Sequence, residues 1–273
     1  MNARARVEGS AVPTVTIRCL GPFGILGRKG WLSGPDVSRG KQLIGYLVVH
    51  ARAVALRETL AEAFWPDADF DASAHRLHLV ASAARASLRK ALGSVEAITC
   101  QDGGYGWTRS IKVDSDAARL LELEKRGDLE SCRQARQLYQ GELLAGVQGD
   151  WLEPMRLRCA AAYASMLERL AESAYAAGDY SDALDRSLEL LSLDRAYEPA
   201  TRLVMRCFAA IGRPFQAHAV FTGLEQFLGK RLAVSPTTQT RALLEHILAS
   251  GRRQAAQLVR GPARTASEEP REV

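Results

Sequence analysis

Three changes of hydrophobic period divide this 273-residue chain. From Thr14 to Ser33 apolar and polar residues alternate, the period of a half-buried strand. The pattern predicts short strands at Val15–Leu20 and Phe23–Leu26, a hairpin turn through Gly27, Arg28, Lys29 and Gly30, and a return at Trp31 and Leu32. After Ser38, a candidate cap, the spacing turns helical, with Leu43, Ile44, Leu47 and Val48 on one face. Arg57 to Leu92 then reads as two helices broken at Trp65 and Pro66. The first carries Leu60, Ala63 and Phe64; the second opens near Ser73 and ends before Gly93. At about 100° per residue, Leu77, Ala81, Ala84, Leu88 and Leu92 make one apolar stripe on that long helix. Alternation returns at Ala97–Cys100 and Tyr105–Thr108, joined through Asp102, Gly103 and Gly104, because glycine accepts the positive φ of a hairpin turn. Sheet, three helices and closing hairpin predict a winged helix.

Beyond Val113 strand signals nearly vanish. The segment AAGDYSDAL (176–184) recurs 34 residues later as AIGRPFQAH (210–218), pairing Gly178 with Gly212 and Ala183 with Ala217. That spacing is the tetratricopeptide period: glycine closes the first helix of a pair and alanine lets the two helices approach. A weaker copy lies at Arg126, Gly127, Asp128 and Leu129. A helix to about Phe227, a turn through Leu228–Pro236 and a closing helix from Thr237 complete the pattern. The expected fold is therefore mainly α with small antiparallel β elements: an N-terminal winged helix-turn-helix domain followed by an all-α, tetratricopeptide-like helical-repeat domain. The expected boundaries are a disordered N-terminus at 1–13, the winged helix at 14–112, the repeats at 113–250 and a flexible tail at 251–273.

With 47% hydrophobic residues the chain has material for a sizeable core, and its length suits two domains. No apolar run approaches the ~20 residues that span a bilayer, and the N-terminus lacks a signal peptide's apolar segment, so a cytoplasmic protein without membrane contact is expected. The five cysteines are scattered without a Cys-x-x-Cys pair and read as reduced core residues. The net charge of +5 is uneven: Met1–Lys112 has 15 basic and 9 acidic residues, whereas Val113–Ser250 has 16 and 19. Positive potential on one domain suggests that this domain faces nucleic acid.

The long helix supplies the chemistry for it. His75, His78, Ser82, Arg85 and Arg89 share one arc away from the apolar stripe, and no acidic residue lies between Asp71 and Glu96 to neutralise Arg76, Arg85, Arg89 or Lys90. Such a face suits phosphates and base edges in a major groove. Arg76, His78, Arg85 and Arg89 are the candidate readers, with Ser82 and Lys90 beside them; Arg39, Lys41, Tyr105 and Lys112 are candidate phosphate contacts, and Trp107 is expected to pack in the sheet. A phosphate-loop reading of Gly34 to Gln42 fails on spacing and on Gln42, which stands where a Mg²⁺-binding hydroxyl is needed. His75 and His78 have no Cys or carboxylate neighbour in sequence to complete a metal site, Asp67 and Asp69 read as turn residues, and no nucleophile or dinucleotide motif appears. No enzyme, cofactor or metal is expected. The alternative is an adaptor whose repeats capture a peptide and whose winged helix docks protein.

The chain resembles the bacterial transcriptional activators typified by the Streptomyces antibiotic regulatory proteins. The resemblance runs from about Val15 to Leu248. It rests on Phe64, Trp65 and Pro66; Ala74 to Leu77; Gly103 to Tyr105; the stretch YQGELLAG from Tyr139 to Gly146; Trp151 to Pro154; Gly178 to Tyr180; and Leu232 to Pro236. It implies a DNA-binding activator that occupies promoter direct repeats as a head-to-tail dimer and recruits RNA polymerase. It also implies a short form lacking the ATPase of larger relatives and any receiver domain. One departure stands out: the family's recognition helix commonly reads Ser-Arg-Leu-Arg-Arg, whereas Ser82 here is followed by Ala-Ala-Arg-Ala-Ser-Leu-Arg-Lys, so contacts do not transfer arginine by arginine.

Overall fold

A four-stranded sheet opens the molecule, seen in a computed structural model that describes residues 12–33, 38–50 and 54–260. Its strands β1 (Thr14–Arg18), β2 (Gly24–Gly27) and β3 (Gly30–Ser33) form the expected antiparallel meander. Its fourth strand does not come from the meander: β7 (Lys112–Ser115) pairs in parallel with β1, Val15 opposite Val113 and Ile17 opposite Ser115. Alternation alone misses this strand because it leads directly into a helix and its partner lies about 100 residues away.

Helices α1 (Ser38–Val49), α2 (Arg57–Phe64) and α3 (Phe70–Leu92) follow, α3 packing on both α1 and α2. Helix α3 begins three residues before the expected Ser73, since the Asp69 carboxylate caps it by accepting from the Asp71 N–H at 3.0 Å. Behind it, β4 (Ala55–Leu56), β5 (Ile98–Gln101) and β6 (Gly104–Trp107) form a second sheet in the order β4-β6-β5. The wing is thus a three-stranded sheet, not a bare hairpin. Gly104 permits the close approach of β4 to the central strand β6: a Cβ there would lie 2.4 Å from the Ala55 carbonyl oxygen.

The remaining described chain is helical: α4 (Asp116–Arg126), α5 (Leu129–Leu138), a short 3₁₀ turn at Asp150–Leu152, α6 (Glu153–Ala176), α7 (Tyr180–Leu193), α8 (Glu198–Ala210), α9 (Pro214–Leu232) and α10 (Thr238–Arg260). Gly127, Gly178 and Gly212 stand at the predicted turns with φ of 65°, 80° and 75°. Two expectations need correction. Helix α9 does not stop at Phe227, because Ala217, Phe221, Leu224 and Leu228 continue one buried stripe and Gly229 has open space about it. Residues 251–260 are the last turns of α10 rather than tail; 1–11 and 261–273 lie outside the described residues.

By packing, the chain divides into Met1–Met166 and Leu167–Val273, so the expected change of domain after Lys112 falls inside the first unit. What binds α4 and the segment after α5 into that unit is specific. The Asp116 carboxylate, 9% exposed, accepts from the Cys19 and Leu20 main-chain N–H groups at 2.8 and 2.9 Å and from the Cys19 thiol. The Leu144 N–H donates to the Cys19 carbonyl at 2.7 Å, and the Leu144 side chain covers Gly45, where a Cβ would meet it at 2.4 Å. Arg156 donates to the carbonyls of Leu143, Leu144 and Val147, fixing the loop that bears YQGELLAG. In the second unit α7 packs on α8, and α8 on α9 and α10, around cores that include Ala183, Leu203 and Cys207, and Met205, Phe221 and Ile247.

Candidate nucleic-acid interface

Helix α3 buries Leu77, Val80, Ala81, Ala84, Leu88 and Ala91 and turns the opposite side outward. His75, Arg76, His78, Leu79, Ser82, Ala86, Arg89 and Lys90 are exposed there. Among the described residues the side chains of Arg76, His78, Arg89 and Lys90 have no hydrogen-bond or ion-pair partner. Arginine and lysine side chains held this way carry their full charge to an incoming polyanion.

Arg85 differs. It is half-buried, its Nε donates to the Ile98 carbonyl of β5 at 3.0 Å, and its guanidinium lies 5.7 Å from the Tyr105 ring centre. The expected base reader is therefore a strut that ties the helix to the wing. Tyr105 itself is 3% exposed, against the expectation that it approaches a phosphate; its burial raises the phenol pKa. Trp107 packs as expected, its indole N–H donating to the Leu47 carbonyl at 2.8 Å. Lys41 also departs from its expected role. Its ammonium donates to the Ala145 carbonyl at 2.7 Å and lies 5.6 Å from the Phe23 ring centre, and burial, followed by the charge of Arg156, lowers its pKa. Lys112 is exposed but belongs to β7 of the four-stranded sheet, not to the wing. The Arg39 side chain lies outside the described residues.

Two features escape reading by pattern. Arg57, at the first position of α2, donates from its side chain to the Cys100 sulfur of β5 at 3.2 Å and from its main chain to the Gly103 carbonyl at 3.1 Å. It locks the wing to the helix-turn-helix. The signal for it, the two-residue strand Ala55–Leu56, is too short to alternate. Leu79 is 57% exposed in the middle of the polar face. Its angle on α3 sets it apart from the apolar stripe, but a lone leucine carries no charge or hydrogen-bonding group to mark a contact.

Comparison with known proteins adds three findings. A family model described as "Bacterial transcriptional activator domain" matches residues 108–248. The regulatory protein AfsR of Streptomyces coelicolor is 25% identical over 242 residues, covering 83% of this chain and 24% of that protein, so the chain spans about a quarter of that relative's length. Among solved structures, Mycobacterium tuberculosis EmbR, determined in complex with a low affinity phosphopeptide, aligns with a TM-score of 0.69 at 17% identity, covering 90% of this chain and 70% of that one. The last likeness is one of fold, a winged helix followed by tetratricopeptide-like helices. Among the described residues no helix is long and apolar enough to cross a membrane, and no cluster of His, Cys, Asp and Glu is suited to a metal ion.

Proposed function

The chain belongs to the bacterial transcriptional activator domain family, and from that premise we propose that it is a sequence-specific DNA-binding activator that occupies promoter direct repeats and recruits RNA polymerase. The observation that carries the reading is the outward face of α3, whose cations have no protein partner among the described residues while its opposite face is buried in the core. A helix so mounted is free to enter a major groove, and the wing held to it by Arg57 and Arg85 is the element positioned to follow the adjacent backbone. Arg76, His78, Ser82, Arg89 and Lys90 remain the candidate contacts, with a homodimer on repeated half-sites and RNA polymerase as proposed partners.

A mobility-shift titration of the full chain against upstream regions of its own and neighbouring genes, at two salt concentrations with non-specific competitor, tests this. The expected result is a complex that survives competitor and weakens steeply with salt, since each neutralised phosphate releases counterions. Absence of any specific complex at micromolar protein would sink the reading. One observation then favours an adaptor. A cleft of about 260 Å³ in the second unit, lined by Tyr175, Arg206, Leu243, His246 and Ile247, has Pro214 at its wall, and the next residue, Phe215, is 82% exposed. That arrangement suits capture of a peptide.

A further inference from the structure

We infer that bases are read by a strip of α3 free of arginine and lysine, His75, Leu79, Ser82 and Ala86, in which Leu79 packs against the C5 methyl of a thymine, while the flanking arginines and lysine hold phosphates. The inference deepens the DNA-binding reading above and rests on it. Its ground is the arrangement of the exposed face. At about 100° per residue, the four strip residues fall within an arc of about 60°, directly opposite the buried stripe. Arg76 and Lys90 lie to one side of the centre of that arc and His78 and Arg89 to the other, each offset by about 50–90°.

A helix in a major groove meets base edges along its central line and phosphates along its flanks. Arginine or lysine at both edges and neither at the centre match that section of the groove. The strip runs about 16 Å along the helix axis, the rise of about five base pairs. Arg85, at the level of this strip, is held away from the bases by the wing carbonyl of Ile98. Leu79 can neither donate nor accept a hydrogen bond, so its only selective contact in the groove is apolar, and the thymine methyl is the apolar group that the groove presents. An exposed leucine alone would say nothing. One that belongs to a strip flanked on both sides by basic residues, 57% exposed, has a specific place to go.

The test uses the full chain and a duplex that it selects from a random-sequence pool. Each thymine of that duplex is replaced singly by uracil, which removes the C5 methyl alone. The wild-type protein should lose about fourfold in affinity at one such position, the equivalent of one buried methyl. Leu79→Ala should bind the thymine duplex several-fold more weakly, be indifferent to uracil at that position, and keep its salt dependence. Arg76→Ala should do the reverse, retaining uracil sensitivity while the slope of log affinity against log salt falls by about 0.9. The inference is overturned if Leu79→Ala preserves the wild-type uracil pattern, if its salt slope changes, or if it alters the number of chains per duplex, which would place Leu79 in a protein contact. A wild-type chain that selects no duplex would remove the DNA-binding reading itself, and this inference with it.

Discussion

Asp116 does more for the architecture than any other charged residue of the first unit. Its carboxylate satisfies two main-chain donors just past the end of β1 and the Ala117 N–H in the first turn of its own helix, so one side chain joins sheet to helix. Asp116→Asn keeps the shape but replaces one acceptor oxygen with a donor that faces N–H groups. Hydrogen bonds to charged groups contribute about 1.5–3 kcal/mol each, and a loss of about 2–4 kcal/mol is expected, read as a lowered urea midpoint with unchanged m-value. A midpoint within error of wild type would show the contact to be dispensable. The same carboxylate bears on the neighbouring thiols. Burial foremost, and then Asp116, raises the Cys19 pKa well above its ordinary value and pushes Cys159 up to about 11; burial takes Cys207 to about 11. The sign follows directly: a thiol whose pKa is higher folded than unfolded is stabilising below pH 9 and loses that contribution as pH rises toward about 11. Stability should fall across that window. At pH 8 iodoacetamide should label Cys100, which is exposed, and spare Cys19, Cys132, Cys159 and Cys207 until the chain unfolds. Mass spectrometry of tryptic peptides reads both halves of that expectation.

Among the elements, helix α10 shows how a long amphipathic helix is anchored at its start. The Glu198 carboxylate, at the N-terminus of α8, accepts from the Thr237 main-chain N–H through both oxygens at 3.1 Å and from the hydroxyls of Thr237 and Thr240. Partial burial works to raise its pKa, but those hydrogen bonds outweigh burial and the net shift is downward. Glu198→Ala should cost about 1–3 kcal/mol and raise amide hydrogen exchange in the first turns of α10 before that of α8. Equal protection in both helices would show the tie to be inert. Contacts of this kind are what the sequence conceals. The helices were legible wherever a stripe such as Leu77, Ala81, Ala84 and Leu88 recurred at the helical period, and the repeat turns wherever Gly178 and Gly212 kept their spacing. Strands β4 and β7 were not, because β4 has only two residues, β7 runs straight into α4, and their partners lie about 50 and 100 residues away. The site followed the same rule. Which residues face outward on α3 was readable from angle alone, whereas the capture of Arg85 by Ile98, of Lys41 by Ala145 and of Tyr105 by the wing depends on contacts distant in sequence.

For the molecule as a whole, the question is where an independently folding winged helix ends. Charge and period both change near Lys112, and the family match begins at residue 108, yet the packing of the first unit extends to Met166. A fragment of residues 1–112 would lose most of β7, and with it three of the four register pairs that hold the outer side of β1. It would lose Asp116, leaving the Cys19 and Leu20 N–H groups without their acceptor, and it would uncover Gly45 and Leu20 where Leu144 and Leu143 now sit. Two unpaired buried donors, at about 1–3 kcal/mol each, together with an opened apolar face take up much of a small domain's stability of about 5–15 kcal/mol. Residues 1–166 should therefore melt cooperatively and bind the selected duplex with wild-type salt dependence, whereas residues 1–112 should show no cooperative transition and no specific complex. Calorimetry and mobility shift on the two fragments decide it. If the shorter fragment melts within a few degrees of the longer and binds as tightly, the helical segment after β7 is an attachment to a self-sufficient reader. If it does not, α4, α5 and the YQGELLAG loop are part of the DNA-binding unit, and any signal that loosens Asp116 or Leu144 acts on DNA affinity through the fold itself.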